Sequence, residues 1–171
     1  IHRCQHTFRA EQSERPQIDV GVEDEPVLRQ ATVALAAHAV QRSIYVRGEQ
    51  LVRTSSCDAR TIELPIRGTA PQEIRALPQS TVGVHLSAVA RWTNVVKGEP
   101  KQVRPPQHIT QAFTELGSWP ELPPLEGLTY GPIVRSDGTL WDGIGYDPRT
   151  GLLGLGTWEP PQEPLDVPGA K

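Results

Sequence analysis

The stretch "SIYVRGEQLVRTSS", residues 43–56, decides the fold. Ile44 and Val46 alternate before Gly48-Glu49, and Leu51 follows. A Gly-X pair between apolar alternations is the two-residue connection of a tight antiparallel hairpin. Directly upstream, "EDEPVLRQATVALAAHAV" (23–40) reads as a helix. Asp24 or Glu25 caps it, Pro26 sits in its first turn, and the acids there suit the helix dipole. Val27, Leu28, Ala31, Leu35 and Ala39 recur on one face. A helix that runs into a hairpin, rather than into another parallel strand, argues for α+β and against a βαβ series.

The rest of the chain fits that class. "PQIDV" (16–20) is a short strand, and "TIELPIRG" (61–68) is another that Pro65 pushes to a sheet edge or a bulge. "STVGVHLSAVARWTNVV" (80–96) has Ser80 as a cap and Val82, Leu86, Val89, Thr93 and Val96 at helical spacing, so it reads as one helix. "KGEPKQVR" (97–104) reads as a basic linker. "PPQHITQAFTELG" (105–117) is a compact helix with prolines at its start and Gly117 as its stop. "SWPELPPLEG" (118–127) is extended, and Asp137-Gly138 marks a second hairpin. The expectation is a single α+β domain over 16–155: a small mixed or antiparallel sheet with β-hairpins and about three helices. Residues 1–15 read as a linker or the end of a preceding helix, and 156–171 as a Pro-rich tail or linker.

The chain has 171 residues, enough to bury a core without metal or disulfide staples. It contains no Met and begins with Ile1, the pattern expected of a piece of a longer protein. Two cysteines, Cys4 and Cys57, are too few for a disulfide framework, and no apolar run reaches membrane-span length. A cytoplasmic protein without a membrane partner is expected. The net charge is only −3, but it is unevenly distributed. Residues 42–104 carry ten Lys or Arg against five acids, and residues 105–171 carry three against nine.

Candidate chemistry is sparse. His2, Cys4 and His6 alternate in "HRCQH", with Cys57 as a conceivable fourth zinc ligand. Alternate residues on a helix do not share a face, and paired ligand spacing is lacking, so no metal is expected there. Asp137, Asp142 and Asp147 could gather around Mg²⁺ as a nuclease-like site. Each has a simpler role, since Asp-Gly and Asp-Pro pairs shape turns. The five histidines are scattered, and no phosphate loop or nucleophile grouping is present. No catalytic residue and no cofactor is therefore assigned. What remains is a binding surface. Arg47 and Arg53 lie on opposite strands of the first hairpin, and Arg91, Trp92, Lys97, Lys101 and Arg104 follow. Cations interleaved with an aromatic suit phosphate contact with base stacking. For Trp92 a place in the core is the equal alternative.

Three stretches, "SIYVRGEQLVR", "VHLSAVARW" and "PPQHITQAFTELGSWPELPPLEGLTYGPIVRSDGTLWDGIGYDPRTGLL", are together similar to a region of the primase–helicase proteins of phages, plasmids and integrative elements. That region lies upstream of an AAA+ ATPase domain. The likeness rests on Tyr45, Arg47, Gly48, Leu51, Val52 and Arg53, then on Trp119, Pro120, Leu122, Pro123, Leu125 and Gly127. It ends with Pro132, Arg135, Asp137, Gly138, Gly145, Tyr146, Asp147, Thr150, Gly151 and Leu152. No single motif is diagnostic; their order carries the resemblance over about residues 17–155. It implies a non-catalytic accessory module in replication of a mobile DNA element. Its implied partners are single-stranded or forked DNA and the ATPase domain of the same polypeptide. A structural, oligomerisation or protein-docking module is the alternative, with Trp119, Trp141 and Tyr146 as anchors and a second copy among the partners.

Overall fold

The computed structural model describes residues 15–56 and 72–156. The "TIELPIRG" strand, the "HRCQH" segment, Cys57 and the Pro-rich tail lie outside the described residues. The fold is α+β, with three helices and small sheets of two or three strands among the described residues. The stretch expected to form one α+β domain comprises two compact units. One contains described residues 15–55 and 73–125, and the other contains 56, 72 and 126–156.

The first unit begins with β1 (Gln17–Asp19) and α1 (Asp24–Ala36), followed by β2 (Ile44–Arg47) and β3 (Gln50–Ser56). The hairpin closes with Arg47 opposite Gln50 and Gly48 at φ 60, as the Gly-Glu pair requires. β4 (Gln72–Ala76), not anticipated from the sequence, lies beside β3. α2 (Gln79–Val89), β5 (Arg91–Val96), β6 (Glu99–Gln102) and α3 (Gln107–Glu115) follow. β5 pairs in parallel with β1 and antiparallel with β6. The helices contact one another, and Ile18, Leu35, Ile44, Leu86, Trp92, Ile109 and Phe113 lie in one buried cluster with Trp119 and Leu122.

The single helix expected over 80–96 is corrected. Helix α2 stops at Val89 and the chain turns into a strand. The "basic linker" is likewise half of a hairpin. Lys97 (φ 54) and Gly98 (φ 83) form the two-residue turn between β5 and β6, and positive φ at both positions is the type I′ geometry. The helix starts also differ from expectation. Glu23, Pro78 and Pro106 occupy the cap positions, and none makes a side-chain cap bond.

The helix ends use a device that spacing did not reveal. Trp92 Nε1 donates to the Leu86 carbonyl at 3.0 Å, and Trp119 Nε1 donates to the Phe113 carbonyl at 3.1 Å. Each indole reaches back six residues into the last turn of the preceding helix, where carbonyls lack helical partners. The Pro-rich segment after Trp119 then runs along β2. Val46 N donates to Pro123 O at 3.0 Å, and Leu125 N donates to Val46 O at 2.7 Å.

The second unit holds β7 (Gly127–Thr129), β8 (Ile133–Val134), β9 (Leu140–Trp141), β10 (Ile144–Asp147) and β11 (Leu152–Leu155). β11 lies between β10, antiparallel to it, and β7, parallel to it, while β8 and β9 form a separate hairpin. Its leucines at 152, 153 and 155 are only half-buried.

Candidate nucleic-acid interface

The seven residues chosen as cationic or stacking contacts do not form one patch. Ile44 faces Arg53 across the first hairpin, and Arg47 faces Gln50. Directly paired residues share a face, and each step along a strand reverses it. Arg53 therefore lies on the face of fully buried Ile44, and exposed Arg47 lies on the other. The same count separates Arg91 from Lys101, because Lys101 pairs with Asn94, three residues beyond Arg91.

Trp92 is corrected from stacking platform to core. It is 2% exposed, its strand neighbour in β1 is buried Ile18, and its one polar atom is bonded to Leu86. No ring face is open to a base. Trp119 and Trp141 are similarly buried, at 3% and 8% exposure, so neither offers an anchor to a partner.

The exposed cations that remain are concentrated on the second hairpin. Lys97 occupies its tip, Lys101 lies on the fully exposed strand β6, and Arg104 follows that strand. β6 is the edge of its sheet. Among the described residues no carboxylate forms an ion pair with Lys97, Lys101, Arg104 or Arg47.

Arg53 belongs to a different grouping, which sequence spacing did not predict. Among the described residues its Nε is buried without a hydrogen-bond partner, and so are Arg42 Nε and His85 Nδ1. Burial of the imidazole, then the charges of Arg42 and Arg53, lowers the His85 pKa below its ordinary value. Arg42 precedes β2, Arg53 comes from β3 and His85 from α2, so this electrostatic influence depends on the fold and not on chain order.

The three aspartates shape turns. Asp137 Oδ1 accepts from Thr139 N at 2.9 Å and Thr139 Oγ1 at 2.6 Å, and Asp142 Oδ1 accepts from Ile144 N at 3.1 Å. Asp147 does more. Oδ2 accepts from Arg135 Nε and Thr150 Oγ1, both at 2.9 Å, while Oδ1 accepts from Arg149 N at 3.3 Å. Arg149 in turn pairs with Asp137 at 3.0 Å. No group of three His, Cys, Asp or Glu residues arranged for a metal occurs among the described residues.

Hydrogen bonds from Arg135 and Thr150 hold the Asp147 pKa below the ordinary carboxylate value of 3.8, and those from Thr139 do the same for Asp137. A depressed folded-state pKa gives stability that is complete above the unfolded value and is lost as pH falls through the folded one. Thermal melts should therefore vary little on this account above about pH 5 and fall below about pH 4. Asp147→Asn should lower the melting temperature at neutral pH and flatten that acid slope; an unchanged slope would refute the assignment.

No protein family, no curated protein and no solved structure matches this chain. No helix among the described residues is long and apolar enough to cross a membrane.

Proposed function

We propose that this chain is a non-catalytic accessory module of a mobile-element primase–helicase and that it contacts single-stranded or forked DNA. The observation that carries the reading is the β5–β6 hairpin. Its tip, edge strand and exit present Lys97, Lys101 and Arg104 to solvent, with no acid paired to them among the described residues. Flexible cations on an exposed ribbon fit the phosphate backbone, which supplies most sequence-independent affinity. The order of motifs from Tyr45 to Leu152 supports the replication context, with an AAA+ ATPase domain of the same polypeptide as the partner that uses the positioned strand. The setting is the cytoplasm.

With Trp92 in the core, contact is to the backbone rather than through base stacking on that ring. Affinity for oligo-dT should therefore be insensitive to base identity and steeply dependent on salt. Three phosphate contacts imply a log–log salt slope of about −2 for a single strand. The double variant Lys97→Glu, Lys101→Glu should weaken binding at least tenfold, about 1.4 kcal/mol or more, and flatten the slope. Fluorescence anisotropy at several salt concentrations measures both. A wild-type chain that does not bind at low salt would end this reading.

A further inference from the structure

Every residue from Val95 to Gln102 is exposed. Successive residues of a strand point to opposite faces, so the far end of β5, the turn and all of β6 form a ribbon with solvent on both sides. Val95 lies directly opposite Pro100, and Val96 directly opposite Glu99. Paired residues share a face, so each face of the tip carries aliphatic surface. Val95 is 51% exposed and Val96 39%, and neither belongs to the buried core. Lys97 sits between the two strands in the turn, and Lys101 and Arg104 follow along the edge and exit. Against these three cations, residues 93–104 hold one acid, Glu99. The ribbon therefore combines apolar tip surface with a positive balance, which calls for an anionic partner that also offers an apolar face.

We propose that the β5–β6 hairpin recognises the junction of a DNA fork, with Val95, Val96 and Pro100 against the last base pair and Lys97, Lys101 and Arg104 on the diverging phosphates. This rests on the DNA reading above and deepens it by naming the structure that is bound. A fork exposes the flat apolar face of its terminal base pair between two charged backbones, and apolar side chains set between bases are a general way of holding opened duplex. The type I′ turn and the register of β5 with β6 fix the shape of the tip, so little ordering is lost on contact. An added protein strand is a poorer occupant. Val96 and Glu99 flank the two-residue turn and form the hydrogen-bonded pair, so the next pair, Val95 with Pro100, is the non-hydrogen-bonded kind. The nitrogen of Pro100 therefore faces the free edge of β6, where it has no hydrogen to donate. A proline so placed blunts an edge against further pairing.

The test uses the full 171-residue chain with two DNA probes: oligo-dT, and a fork with oligo-dT arms whose terminal base pair contains 2-aminopurine. Anisotropy gives the two affinities, and 2-aminopurine fluorescence reports unstacking at the junction. Wild type should bind the fork roughly tenfold more tightly than oligo-dT and brighten the 2-aminopurine. The double variant Val95→Ser, Val96→Ser removes exposed apolar surface only. It should keep the affinity for oligo-dT, lose the preference for the fork and leave the 2-aminopurine quenched. Lys97→Glu, Lys101→Glu should weaken binding to both probes. Wild type that binds oligo-dT but neither prefers the fork nor brightens the 2-aminopurine would overturn the junction proposal and leave the DNA reading standing. Valine variants that prefer and brighten the fork like wild type would overturn it too. Failure of wild type to bind either probe at low salt would end both.

Discussion

Trp92→Ala is expected to destabilise the chain by about 3–5 kcal/mol, the range for emptying a buried aromatic site. For a chain of this size that is a fall on the order of 10 °C in melting temperature. Two losses add. The indole lies in one buried cluster with Ile18, Leu86 and Val89, all at most 1% exposed. Its Nε1 also satisfies the Leu86 carbonyl, which shares only the Ala90 amide at 3.3 Å. Trp92→Phe keeps most of the volume and loses that bond, so it should cost about 1–2 kcal/mol. Urea melts of the two variants measure the difference. The result also separates core from interface. A stacking residue would leave the melts nearly unchanged and lower affinity for DNA, whereas a core residue shifts the melts and leaves the affinity of the folded fraction alone.

The same residue shows why the sequence is legible in one place and misleading in another. From Val82 to Val96 the apolar spacing stays helical across the true end of α2. The match is accidental: β5 lies between β1 and β6 and buries the adjacent Trp92 and Thr93 on its two opposite faces, while Val96 at its end is exposed. The decisive signals were the β-branched run Thr93, Val95, Val96 and the Lys97-Gly98 pair, a turn whose positive φ angles resemble those of the Asn-Gly class. The first hairpin was legible because Gly48-Glu49 sits between two clear alternations. The aspartate turns were legible for the same local reason: each acid bonds an amide two residues ahead.

Non-local features were not legible. Nothing in the spacing says that Arg53 shares a strand face with Ile44, or that the charges of Arg42 and Arg53 act on His85. Choosing cations by proximity in the chain grouped Arg47 with Arg53 and Arg91 with Lys101, and strand alternation separates both pairs. Trp119 reads as part of an extended Pro-rich surface, yet the segment is pinned along β2 by backbone bonds that no side-chain pattern encodes. Sequence reading recovered local turns and helices because their causes lie within a few residues. It failed where the cause was a pairing register.

Gly154→Ala is expected to be the most damaging small substitution in the second unit. A β-carbon at Gly154 would lie inside the van der Waals shell of the Gly143 carbonyl and only 2.8 Å from Ile144 N. Those are backbone atoms, so no side chain can rotate away. Gly143 is itself held against the Gly131 carbonyl and has φ 78, so retreat in that direction is closed as well. Strands β10 and β11 must separate to admit one methyl. Overpacking of a tight site costs about 1–3 kcal/mol even where side chains can yield, and here about 3 kcal/mol or more is expected. Gly145 supplies the control, because it pairs with Gly154 in the register and has open space around its β-carbon position. Its φ of 74 still penalises alanine, by about 1–2 kcal/mol. Amide signals and protease resistance of residues 126–156 should therefore be lost in Gly154→Ala and largely kept in Gly145→Ala. Equal damage in the two variants would mean that backbone conformation alone governs these glycines. Greater damage at Gly154 means that this unit, whose described residues include few buried apolar side chains, depends on backbones packed too closely for any side chain between them.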